Sequence, residues 1–162
     1  MAAGSASSVT VTNGATLLLS QSDQVNNSAT VTLSGGTIAR GSGVSEVFGD
    51  LNLTVASFLD FGTGTAGNLT FGTYQNNTTP SALLTINNFG LGDTLVFGSD
   101  LTSTITNASY FSFSSGISST WDDDASTFTI TAVPETSTYV AALGLLALGA
   151  LPLVRRKRAK VS

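Results

Sequence analysis

The chain contains no cysteine and no histidine. The first absence excludes disulfides, thiolate metal sites and cysteine nucleophiles. The second removes the commonest general base and the commonest transition-metal ligand. Positive charge is almost as scarce, because Arg40 is the only cation before Arg155, while all ten carboxylates precede it. One cation against ten acids leaves the body at −9, and five tail cations bring the whole chain to −4. A body this acidic does not suit nucleic acid, whose affinity comes from lysine and arginine set against phosphates. Amphipathic helix patterning is absent before Thr136.

What fills the body instead is a series of short alternating runs. Val9-Thr10-Val11-Thr12 is followed by Asn13-Gly14, and Ala29-Thr30-Val31-Thr32-Leu33 repeats the pattern. Further runs are 51–55, 68–72, 83–86 and 94–98, each rich in β-branched or aromatic residues and bounded by Gly, Asn, Asp or Ser. They recur roughly every 15 to 22 residues, about one rung of a stacked-coil fold. Phe-Gly recurs at Phe48-Gly49, Phe61-Gly62, Phe71-Gly72, Phe89-Gly90 and Phe97-Gly98. It reads as an inward aromatic closing a strand, then a glycine forming the corner. The expected fold is all-β: a right-handed, β-helix-like solenoid or β-rich repeat body over residues 1–132, with a β-sandwich as the alternative.

The far end is different. Tyr139 to Val154 carries no charge, and Leu143, Gly144, Leu145, Leu146, Leu148, Leu151 and Leu153 surround the helix on every side. Its sixteen residues would span about 24 Å as a helix, and 136–138 nearly complete a bilayer core of roughly 30 Å. Arg155, Arg156, Lys157 and Arg158 follow at once, which fixes the C-terminus on the cytoplasmic side. The reading is a single transmembrane helix in membrane lipid, with residues 155–160 as its basic cytoplasmic tail.

With Val133, Pro134, Glu135 and Thr136 ahead of it, this end resembles the PEP-CTERM sorting signal of Gram-negative bacteria. That family joins a Pro-Glu motif, a short apolar helix and an arginine-rich tail, spanning 133–160 here. The resemblance implies export through the inner membrane and recognition by exosortase, a membrane-embedded protease or transpeptidase. It also implies delivery to the cell surface or extracellular matrix. Thr136 stands where the family usually has a second proline. From Ser57 to Ala132 the chain is also similar to secreted PEP-CTERM proteins with autotransporter-like β-strand repeats. The matching segments are Leu59 to Gly62, Leu84 to Phe89, Gly92 to Asp100 and Phe111-Ser112-Phe113.

An exported protein should open with a basic start and an apolar core. Met1 to Ser8 has neither, and Leu17 to Leu19 is too short. A truncated N-terminus is therefore expected. Candidate chemistry in the body is sparse. Asp122-Asp123-Asp124 reads as a solvated turn, since only alternate residues of a strand share a face and no calcium-loop spacing accompanies them. Asp60, Asp93 and Asp100 could supply a glycosidase pair only at a separation that the sequence does not set. No cofactor is expected. The favoured reading is a non-enzymatic structural or adhesive protein. One alternative binds or degrades extracellular polysaccharide through exposed Tyr74, Tyr110 or Trp121; another is a β-protein tethered to the membrane and never cut.

Overall fold

A computed structural model describes residues 8–76, 82–102, 110–113, 116–122 and 125–133. It is a β-solenoid of about four turns built on three parallel faces. Strand β1 (Ser8–Thr12), β3 (Thr30–Ser34), β6 (Leu51–Val55) and β9 (Tyr74–Asn76) form the first face. The second face stacks β2 (Thr16–Leu19), β4 (Thr37–Arg40), β7 (Ser57–Asp60), β10 (Leu84–Asn87) and β12 (Phe111–Phe113). On the third, β5 (Glu46–Val47), β8 (Asn68–Phe71) and β11 (Thr94–Phe97) run parallel. An antiparallel hairpin of β13 (Ile117–Asp122) and β14 (Thr127–Ala132) then joins through β14. The parallel ladders rule out the sandwich alternative, which needs antiparallel sheets packed face to face.

A rung therefore visits three faces, and it is longer than the sequence recurrence suggested. Side chains bond to the next coil at separations of 22 residues (Gly35 to Ser57) and 26 residues (Gly67 to Asp93). The recurrence of 15 to 22 residues mixed steps between faces with steps between rungs.

Alternation sends every second side chain inward, and stacking lines these up in columns. Val9, Val31, Leu51 and Tyr74 form one; Leu17, Ile38, Leu59, Ile86 and Phe113 form another. At the end of the third face Phe48, Phe71 and Phe97 stack with ring centroids 5.0 and 5.7 Å apart. Such aromatic pairs add about 0.5–1.5 kcal/mol each beyond the area they bury.

The Phe-Gly corners are of two kinds. Gly62 has φ +66°, a conformation that glycine adopts without strain. Gly98 does not: a Cβ there would lie 2.5 Å from the Gly72 carbonyl oxygen of the preceding rung. The Phe97-Gly98 corner needs glycine for close approach of stacked backbones rather than for its handedness.

Among the described residues no helix is long and apolar enough to cross a membrane. Residues 139–154 and the basic run 155–158 lie outside the described residues.

Candidate functional site

Among the described residues three charged side chains, Arg40, Asp93 and Glu46, are buried in the solenoid. Thr37-Ile38-Ala39-Arg40 alternates, so Arg40 shares the inward side with Ile38, and it is 4 % exposed. Its Nη2 pairs with Oδ1 of Asp93, two rungs on. Nη1 donates to the carbonyls of Gly41 (3.0 Å) and Thr65 (3.2 Å). The guanidinium also lies 5.2 Å from the Phe61 ring centroid, close enough for cation–π attraction. Asp93 in turn accepts from the backbone N–H of Gly67 (3.0 Å) and of Gly90 (2.9 Å). The only cation of the body is thus spent on a buried clip that ties the second rung to the fourth.

Glu46 is the third. It occupies the inward column of Leu69, Leu95 and Ile130 and is fully buried. Its carboxylate accepts the backbone N–H groups of Gln24 (2.7 Å) and Val25 (3.3 Å). The first rung forms no strand on the third face, and Glu46 takes up the donors that a ladder would otherwise satisfy.

Beside the Arg40–Asp93 clip, Gly62, Thr63, Gly64, Asn88 and Leu91 border an open cleft of about 410 Å³. Asp60 lies at its rim, accepting from Gly62 N (2.8 Å) and Asn88 Nδ2 (2.7 Å). Each carboxylate here is held by donors of the fold, and Asp93 is neutralised by Arg40. Asp100, the third sequence candidate, is fully exposed and caps its own turn. The Thr102 hydroxyl (2.6 Å) and amide (2.8 Å) hold its carboxyl below the usual range. No group of three or more carboxylates suited to a metal ion occurs among the described residues.

The aromatic candidates also separate. Tyr74 packs inward, its ring 5.1 Å from Phe111 and 5.8 Å from Phe97. Burial, partly offset by a hydrogen bond from Asn76, pushes its hydroxyl up to about 12. Tyr74 and Tyr110 are both partly buried and packed against the core rather than exposed. Trp121 is placed in β13 opposite Phe128 by its backbone. Among the described residues the large exposed aromatic is Phe58, which is 42 % exposed. It stands on the outer side of the second face in a column with Thr16, Thr37, Thr85 and Ser112. Phe58-Leu59 gave no hint of this alone; the signal is that Leu59 shares the alternation of buried Phe61, which turns Phe58 outward.

Of the sorting motif, Val133 is described: it is exposed and donates its N–H to the Gly116 carbonyl (3.2 Å), directly after β14. Pro134, Glu135 and Thr136 lie outside the described residues, as do Asp123 and Asp124. Compared with family models, with curated proteins and with solved structures, the chain finds no match in any of the three.

Proposed function

We propose that this is an exported bacterial surface or matrix protein whose β-solenoid is a rigid, weakly reactive spacer. In this reading residues 133–160 are a PEP-CTERM-like sorting signal that an exosortase-like enzyme recognises at Pro134-Glu135. The chain is the substrate of that chemistry and performs none itself. Carrying the proposal is the order of parts in the sequence: Val133-Pro134-Glu135, an uncharged apolar run, then four consecutive cations. The solenoid supports it in two ways. Described carboxylates such as Asp60, Asp93 and Glu46 are engaged by donors of the fold, and strand β14 closes at Ala132, next to Val133 of the motif.

Replacing Arg155, Arg156, Lys157 and Arg158 by glutamine tests the assignment in a native host. Loss of the topology anchor should move the protein out of the cell-surface fraction. Unchanged surface display by that variant would contradict the assignment.

A second reading, polysaccharide binding, is favoured by Phe58. An exposed ring between threonine hydroxyls offers a stacking platform flanked by hydrogen-bonding groups, and the acidic body selects a neutral glycan over a polyanionic one. Phe58→Ala should then abolish binding on a glycan array, and an array without signal for the parent chain would dispose of the reading.

A further inference from the structure

The cleft beside the Arg40–Asp93 clip opens at the end of the strand that carries Phe58. In β7 (Ser57–Asp60) alternation turns Phe58 and Asp60 to the same outer side, with Cα atoms about 6.6 Å apart. Asp60 stands between Ala39 and Asn87 of the neighbouring rungs, and Ala39 adds little bulk beside it. The walls of the cleft are the third-rung corner, 61–67, and the fourth-rung corner, 88–93. Its volume of about 410 Å³ lies within the range of small-ligand sites, about 300–1,000 Å³.

The clip fixes both walls. Asp93 accepts from Gly67 N on one corner and Gly90 N on the other, while Arg40 donates to the Thr65 carbonyl. Asn88 is held at φ +55°, a left-handed conformation that asparagine tolerates, with its Nδ2 bonded to Asp60 Oδ1 at 2.7 Å. Phe89 packs edge-on against Phe61, ring centroids 4.9 Å apart. A ligand entering such a cleft has little of the protein left to order, which favours binding.

The groups that the fold leaves unbonded define the ligand. Oδ1 of Asp60 takes both the Gly62 and the Asn88 donors, so its Oδ2 remains as an acceptor, and so does Oδ1 of Asn88. Leu91, 65 % exposed, supplies an apolar wall. Free acceptors suit a ligand rich in donors; the leucine and the Phe58 ring suit one that also has C–H faces. A pyranose ring has both, with adjacent hydroxyls at its edge and C–H bonds on its faces. Arg40 is engaged by Asp93, so the charge left at the mouth is that of Asp60, which opposes an acidic sugar.

We propose that the cleft is a sugar subsite continuous with the Phe58 platform, taking a neutral hexose residue through adjacent hydroxyls bonded to Asp60 and Asn88. The inference rests on the polysaccharide-binding reading and adds to it a second subsite, a ligand class and a direction along the outer side of β7.

Neutral gluco-, manno- and galacto-tetrasaccharides, titrated into the full chain by calorimetry beside a tetragalacturonate, test it. A neutral sugar should bind and the uronate should not. Asp60→Asn keeps Oδ1 for the Gly62 and Asn88 donors but turns the free acceptor into a donor, and should weaken binding at least about tenfold. Leu91→Ala, at an exposed position, should weaken it about threefold or more without moving the thermal unfolding midpoint. Val47→Ala, on the third face, should bind as the parent chain does. If Phe58→Ala loses the sugar while Asp60→Asn and Leu91→Ala bind it unchanged, the subsite is overturned and the polysaccharide reading stands without it. Tetragalacturonate bound as tightly as the neutral sugars would overturn the ligand class. Absence of binding by every sugar would overturn the subsite and the polysaccharide reading together.

Discussion

Replacing Asp93 by asparagine should be among the most damaging single substitutions in the solenoid. The amide would keep one acceptor for the N–H groups of Gly67 and Gly90 but would leave the Arg40 guanidinium buried without a counter-charge. Removing one partner of a buried ion pair costs about 3–5 kcal/mol, because the surviving charge has lost its water and gained nothing in exchange. Arg40 already has one nitrogen, Nε, without a partner among the described residues, which leaves little slack. At about 3–4 °C per kcal/mol for a domain of this size, the midpoint of thermal unfolding should fall by roughly 10–20 °C. Far-UV circular dichroism against temperature measures it. Arg40→Met alone should cost a similar amount, and the double variant R40M/D93N should recover at least half of the summed loss. The pair contributes more to alignment than to net stability, since a matched apolar replacement is often neutral. Additive losses in the double variant, or a shift below about 3 °C for Asp93→Asn, would refute the clip.

Three other outcomes are expected. Phe71→Ala empties the middle of the aromatic column between Phe48 and Phe97 and should cost about 3–5 kcal/mol in urea denaturation. Gly98→Ala brings a Cβ against the Gly72 carbonyl and should cost about 1–3 kcal/mol, whereas Gly90→Ala, with no contact closer than 3.8 Å, should be tolerated much better on the same denaturation curves. Tyr74 has its hydroxyl raised to about 12 in the folded chain, against about 10 unfolded. Its contribution is therefore complete below pH ~10 and lost as pH rises toward ~12. Tyr74→Phe should flatten that alkaline loss, read as unfolding midpoint against pH.

The sequence displayed the strands with strong alternation and aromatic closure. Val9 to Thr12, Thr30 to Ser34, Leu51 to Val55 and Thr94 to Phe97 are strands with the expected inward faces. Parallel stacking was legible because the Phe-Gly unit recurs. The three-faced rung was not, since β5 (Glu46–Val47) is two residues long and β9 (Tyr74–Asn76) three, too short for any period to show. Their pairing comes from the neighbouring coils. Arg40 and Glu46 were missed for a different reason. A charged residue in an alternating run is read as outward, yet Ile38 and Phe48 on the same sides show that both turn in. Phe58 is the converse case, a large apolar residue that the alternation places outside. Tyr74 was a candidate sugar-stacking ring in the sequence; column stacking against Leu51 draws it inward.

The central claim, a sorted and processed surface protein, is tested most directly by the C-terminal peptide of the mature chain. Mass spectrometry of the surface fraction from a native host should find it ending between Ala132 and Thr136, with the Tyr139 to Ser162 stretch missing. Recovery of peptides containing Leu148 or Arg155 from that fraction would contradict processing and leave a permanent anchor as the function of the tail.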